Sequence, residues 1–244
     1  MDYKPRFNTK KLEEEQARLS RKIIAKDDID FSQINTIAGF SQAFFGRKII
    51  SAVVICDAKT MDIVEKKYAI IESKIPYIPG FLGFRESPAI IEAYSKLSAE
   101  PDVIMIEGHG VLHPRKFGFA SQAGLSLDKP SIGIAKSLLT GEVSEGDIFV
   151  DGELRGKELR TKEHANPLYI SAGHLISLKT AVEIVKNCIN PPHKLPEPLH
   201  IAGRYADKIR EREVKNDSEN SKFIAESPQK ESPQKKAAGM LFNF

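Results

Sequence analysis

The sequence predicts an α/β domain on a mixed sheet, an antiparallel meander followed by parallel strands, with helices on its faces. Three observations carry this reading. Three strand-like segments follow one another near the start, separated only by short polar turns. Helical spacing and short apolar runs then alternate. Those later runs, such as Asp102-Val103-Ile104-Met105-Ile106-Glu107, are apolar throughout, as strands buried on both faces are.

In chain order, residues 9–26 are charged, with Leu12, Leu19, Ile23 and Ile24 spaced along one helical face, which predicts an amphipathic helix packed on the domain. The meander covers 34–45, 47–57 and 61–72, and its second segment is rich in β-branched residues. Ile90, Ile91, Ala93, Tyr94 and Leu97 predict a helix over 86–99. The buried strand ending at Glu107 follows, then a helix over 117–127 and a second buried strand at Ser131-Ile132-Gly133-Ile134-Ala135. Residues 147–160 read as a hairpin turning at Asp151-Gly152, Leu168-Tyr169-Ile170 as a strand, and 175–188 as a helix. From about 213 the chain is polar, with Glu-Ser-Pro-Gln-Lys at 226–230 repeated at 231–235. Such a segment buries too little surface to offset chain entropy, so a folded domain over 1–212 and a disordered tail over 213–244 are expected.

The chain has 244 residues, 41% hydrophobic and 28% charged, enough for one sizeable core. Its net charge of +3 does not mark a nucleic-acid binder, so any such surface must be a local patch. Cys56 and Cys188 lie far apart and outside any motif, and read as reduced thiols. The N-terminus lacks an apolar signal core and no apolar run approaches membrane-spanning length, so a cytoplasmic protein with no membrane association is expected. Nothing in the sequence calls for an oligomer, and a monomer is expected.

Chemistry in open sheets gathers at the carboxyl ends of strands, which flags Glu107 and the loop after it. Four segments stand out. In Pro76-Tyr77-Ile78-Pro79-Gly80, two prolines stiffen a loop that projects an aromatic, either a wedge for a base stack or an ordinary surface turn. In Glu107-Gly108-His109-Gly110-Val111-Leu112-His113-Pro114-Arg115, glycines permit close backbone approach to a ligand and His113 and Arg115 are candidate phosphate contacts, or the segment is a tight solvated turn. Lys136, ending a buried strand, is a phosphate-facing charge or a solvated cap. His174, at a strand-to-helix junction, is a metal ligand, a proton shuttle or a plain cap.

Together these segments resemble the endonuclease V family. The run Pro-Tyr-Ile-Pro-Gly-Phe-Leu…Phe-Arg-Glu at 76–86, Gly-His-Gly…His-Pro-Arg at 108–115, Ile-Gly-Ile-Ala-Lys at 132–136, Asn-Pro-Leu-Tyr-Ile-Ser-Ala-Gly-His at 166–174 and Lys-Leu-Pro-Glu-Pro at 194–198 occur in that family's order and spacing, over about 10–210. The resemblance implies a ribonuclease H-like fold and a DNA repair endonuclease that cuts DNA or RNA at the second phosphodiester bond 3′ to hypoxanthine, using Mg²⁺, with Mn²⁺ as an alternative. It implies that Tyr77 belongs to a wedge loop, that Gly80, Leu82, Gly108 and His113 contact substrate, and that Glu86, Glu107, Lys136 and His174 form the catalytic group. Ser41, Glu86 and Glu107 stand at its metal positions.

Two of these positions depart from the family's pattern. Ser41 stands where the family has the central Asp, and a neutral hydroxyl adds no charge to hold Mg²⁺. Glu107 also stands for an Asp and is one methylene longer. The pair reads as compensation, with Glu107 reaching further, or as decay to a catalytically weakened or inactive nucleic-acid-binding relative. Asp57 is a substitute ligand or, more simply, a turn residue. The end of the chain, 234–244, resembles a degenerate sliding-clamp-binding box, and the plainer alternative is a tail that packs on its own domain.

Overall fold

The computed structural model describes residues 8–226. A first helix, α1 (Thr9–Ser20), leads into the meander β1 (Thr36–Phe45), β2 (Lys48–Asp57) and β3 (Ile63–Glu72). Then come α2 (Leu82–Tyr94), β4 (Val103–Glu107), α3 (Phe119–Leu127) and β5 (Ser131–Ala135). Strands β6 (Glu142–Ser144), β7 (Asp147–Val150), β8 (Glu153–Leu159) and β9 (Leu168–His174) follow, and α4 (Leu178–Asn187) and α5 (Glu197–Glu226) complete the described fold. One nine-stranded sheet results, in the order β3-β2-β1-β4-β5-β9-β8-β7-β6.

The expected mixed sheet is present, and its parallel part is narrow. Only β1, β4 and β5 run parallel, and β9 and β8–β6 extend the sheet antiparallel beyond them. The hairpin turn at Asp151-Gly152 has φ of 52° and 76°, the two positive values that a tight primed turn demands. The short strand β6 carries no periodic apolar signal, since all three of its residues are exposed.

Both faces of the central strands are covered, which is why their sequences are apolar throughout. Ala38, Phe40, Ile104 and Ile106 pack with Ile90 and Ala93 of α2 and Phe119 and Ala123 of α3. Ile37, Val103, Met105, Ile132 and Ile134 face the other way, against Ala181 and Val185 of α4 and Leu199 of α5. Cys56 and Cys188 are free and buried. Among the described residues no helix is long and apolar enough to cross a membrane.

Helix α5 runs past residue 212, where the folded domain was expected to end. It continues to Glu226, well inside the segment expected to be a disordered tail. The stretch that follows 212 includes Glu213, Lys215, Glu219, Lys222 and Glu226, residue types that favour helix without needing burial. Two long side-chain contacts tie this part of the helix to the meander: Arg212 Nη2 donates to Tyr68 Oη at 2.7 Å, and Lys48 Nζ lies 3.4 Å from Glu213 Oε2. The clamp-like segment at 234–244 lies outside the described residues.

The start of α5 presses on β1 where Gly39 has no side chain. A Cβ there would lie 2.3 Å from both the carbonyl carbon and oxygen of Pro198. Backbone cannot swing aside as a side chain would, so Gly39→Ala is expected to destabilise the fold by about 3 kcal/mol. Urea unfolding reads this directly, and an unchanged midpoint would mean that α5 lifts off β1 without cost.

Candidate active site

The parallel pairing brings the carboxyl ends of β1, β4 and β5 together. Phe40 pairs with Ile106 and Glu107 with Ile134, so Ser41, Glu107 and Lys136 emerge side by side. Ser41 Oγ lies 3.5 Å from Glu107 Oε2, and Lys136 Nζ lies 2.5 Å from Glu107 Oε1. Three of the residues picked out in the sequence thus share one edge of the sheet.

Glu86 joins them from α2. Its carboxylate is 3% exposed and pairs with Arg85 Nη1 at 3.0 Å. Burial raises its pKa to about 7, Arg85 opposes that rise, and the nearby charge of Glu107 adds to it. The buried Glu86 carboxyl is thus partly protonated near neutrality, with Glu107 close enough for its charge to be felt.

Beside this group lies a cavity of about 290 Å³ whose lining includes Tyr77, Gly80, Leu82, Gly108, His113 and Lys136. All five residues expected to contact substrate, Tyr77, Gly80, Leu82, Gly108 and His113, line it, with Tyr77 65% exposed at the rim. Gly80 has φ +80°, and a Cβ on it would approach Arg115 Nη2 to 3.2 Å, so only glycine suits this turn. At Gly108 a Cβ would meet the Phe119 ring at 3.2 Å.

The glycine-rich loop after β4 is pinned from below by β9. Gly110 N donates to Ser171 Oγ at 2.9 Å and Val111 N to the Ala172 carbonyl at 2.7 Å. The Ser-Ala-Gly-His run therefore serves the site by fixing its loop. His113 is 3% exposed, with Nε2 3.1 Å from the Gly80 carbonyl and Nδ1 3.2 Å from the Arg115 amide. That arrangement requires a neutral ring with the proton on Nε2, and burial, reinforced by the Arg115 charge, pushes its pKa down to about 4. His109, which also lines the cavity, is pushed down to about 4 by burial.

His174 is not brought into the site. It pairs with Ser131 at the beginning of β5, whereas Glu107 sits beside Ile134 near its end. Its Nδ1 accepts the Ile24 amide at 3.3 Å, so it caps the chain leaving α1. Sequence order places it after a strand, and only the antiparallel direction of β9 puts that strand end on the far side. Ile24, expected to pack with the helix face, is 47% exposed. Asp57 is the turn former of the plainer reading, its Oδ1 accepting the amides of Lys59 and Thr60 at 2.9 Å each. Arg115, a candidate phosphate contact, stacks 4.6 Å over the Phe81 ring and donates to Gln16 and to the Gly80 carbonyl.

Two participants escaped the sequence reading. Gln16 of α1 lines the cavity, in a helix whose signal lay in its leucines. Gly203 of α5 faces Ser41, and a Cβ on it would lie 3.5 Å from Ser41 Oγ. No local pattern pointed to Gly203, because α5 was not read as a helix.

As a donor set, Glu86 and Glu107 suit a hard divalent cation, which is often held by one or two carboxylates together with water and substrate phosphate. Ser41 adds a neutral oxygen. Among the described residues no group of three or more His, Cys, Asp or Glu side chains is placed to hold a metal. The fit is to a two-carboxylate site that depends on the bound phosphate for further oxygens.

Comparison with known proteins agrees with this geometry. The sequence profile of the endonuclease V family matches residues 17–204. Endonuclease V from Dictyoglomus turgidum is 39% identical over 217 residues, covering 86% of this chain and 92% of the relative. The crystal structure of endonuclease V from Bacillus subtilis superposes with a TM-score of 0.79 at 34% identity, covering 87% of this chain and 96% of that one. Endonuclease V from Ciona intestinalis, solved in complex with a 24mer DNA containing an inosine, gives a TM-score of 0.76 at 26% identity, covering 84% of this chain and 98% of that one. The match spans both the sheet and the loops around the cavity, and the chain belongs to the endonuclease V family.

Proposed function

We propose that the chain binds nucleic acid containing hypoxanthine and cleaves the strand at the second phosphodiester bond on its 3′ side, with a divalent cation held by Glu86 and Glu107. The observation that supports this most is adjacency: a cavity of about 290 Å³, near the small end of ligand sites, opens beside Glu107 and Lys136. A base extruded from the stack fits such a cavity, and the strand it leaves then runs past the carboxylates. Tyr77, exposed on a proline-stiffened loop at the rim, fills the gap in the stack. Lys136 exchanges its contact with Glu107 for the phosphate, supplying positive charge where the cut is made. A bound Mg²⁺ supplies charge neutralisation at the phosphate and activation of water.

A second reading, inosine binding without cleavage, is favoured by one observation. Ser41 and Gly203 face each other, so neither β1 nor α5 contributes a carboxylate on that side of Glu107. The discriminating experiment is incubation of a labelled single-inosine DNA strand, and its RNA counterpart, with Mg²⁺, Mn²⁺ or EDTA. A cut one linkage beyond the inosine's own 3′ bond, abolished by EDTA, supports the nuclease. Inosine-selective binding with no cut in either metal supports the second reading. Binding no tighter than to an adenine control overturns both.

Ser41→Asp adds a carboxylate oxygen beside Glu107. Cleavage at limiting Mg²⁺ is expected to rise about tenfold or more. No gain would mean that Glu107, with its longer side chain, already supplies what this position lacks.

A further inference from the structure

We infer that Gln16 is a positioning residue of the base cavity, setting the placement of the Tyr77 loop; the assignment rests on the reading of that cavity as the base site. Helix α1 is strongly polar, and Gln16 is its only buried residue, at 2% exposure. It sits on the inward stripe between Leu12 and Leu19, where an apolar side chain would anchor the helix at no polar cost. The buried amide is compensated by its bonds. Nε2 donates to the Gly80 carbonyl at 2.9 Å and to the Phe117 carbonyl at 3.2 Å, while Oε1 accepts from Arg115 Nε.

These bonds tie α1 to two separate segments: the Tyr77 loop at Gly80, and the loop between β4 and α3 at Arg115 and Phe117. Gly80 is where they converge. Its carbonyl faces Gln16 Nε2, His113 Nε2 at 3.1 Å and Arg115 Nη2 at 3.2 Å. Residues 74–81 belong to no helix or strand, so no ladder of their own fixes them. Their position relative to the cavity depends on this node, and Gln16 reaches it from a helix that is remote from the carboxylates in sequence.

The chemistry of discrimination makes such placement matter. Hypoxanthine presents an oxygen and an N–H where adenine presents an amino group and a bare ring nitrogen. A cavity separates the two only if its polar groups are held where one edge pairs and the other does not.

The test is equilibrium binding, without metal, of fluorescein-labelled single-stranded DNA carrying one inosine or adenine at the same place. It compares wild type, Gln16→Met and Gln16→Glu, and measures amide hydrogen exchange over 77–81 in each. Gln16→Met keeps the volume and loses every bond. Gln16→Glu keeps the acceptor for Arg115 and turns oxygen toward two carbonyls. The preference for inosine is expected to fall about tenfold in Gln16→Met, with faster exchange over 77–81 and unchanged exchange in β9 and α4. A preference within twofold of wild type in a folded Gln16→Met protein overturns the assignment; if that variant does not fold, the same result in Gln16→Glu overturns it. Should wild type show no preference at all, the reading of the cavity fails, and Gln16 is then judged on exchange alone. Unchanged exchange over 77–81 overturns it in that case too.

Discussion

Glu107→Ala is expected to lower the single-turnover rate of inosine-strand cleavage by about a thousandfold or more, while inosine-strand affinity stays within about threefold. The first figure follows from charge. Glu107 is the one carboxylate carried by the parallel strands β1, β4 and β5, it is partly open to solvent, and it lies against both Ser41 and Lys136. Losing it halves the carboxylates available to a divalent ion, and about 4 kcal/mol of transition-state stabilisation corresponds to that factor. The second figure follows from geometry, since the cavity walls at Gly80, Leu82 and His113 do not depend on Glu107 for any bond. Glu107→Asp separates compensation from plain substitution. Withdrawing the oxygens by one methylene is expected to cost about a hundredfold in the Ser41 background. It is expected to cost far less when Ser41→Asp is present. Cleavage by Glu107→Ala within tenfold of wild type would remove Glu107 from the catalytic group.

The second large effect is on pH. His113 has its pKa depressed from 6.5 to about 4 by burial, with the Arg115 charge acting the same way. For a histidine so depressed, the unfolded chain binds the proton more readily than the fold does. Its contribution is therefore complete above pH about 6.5 and is lost as pH falls from there toward 4. A shift of that size corresponds to roughly 3 kcal/mol. Stability measured by urea unfolding should fall over this window, and the preference for inosine should fall with it. The cause of the second change is specific, because a proton on Nδ1 abolishes the bond from the Arg115 amide beside Gly80. His113→Asn should flatten the window. An equal slope in that variant would assign the acid sensitivity to other groups, His109 first among them.

Much of the fold was legible because its signals are local. The meander is three β-rich segments with polar turns, and their antiparallel register follows from turns too short for any crossover. Strand β5 fell on the residues expected, since a five-residue apolar run bounded by polar loops has no other use in a sheet of this kind. Helix α2 begins four residues earlier than its apolar spacing suggested, because its first turn is marked by the loop that precedes it and not by a cap side chain. Helix α5 was hidden for a different reason. Its buried apolar side chains among the described residues, Leu199, Ala202, Ala206 and Ile209, are few, and the charged remainder leaves only a narrow stripe.

By itself the sequence determined most of the strands and helices along the chain, the family, and the identity of the cavity loops, for each of these is written in contiguous residues. Only the tertiary structure decided which residues meet. It set His174 at the far end of β5, turned Gln16 from a helix-surface residue into the partner of Gly80, and laid Gly203 against Ser41. Those outcomes depend on strand direction, register and the packing of a helix more than 150 residues away in sequence from the strand it covers. Such long-range relations are fixed by the burial of the whole core, and no local spacing encodes them.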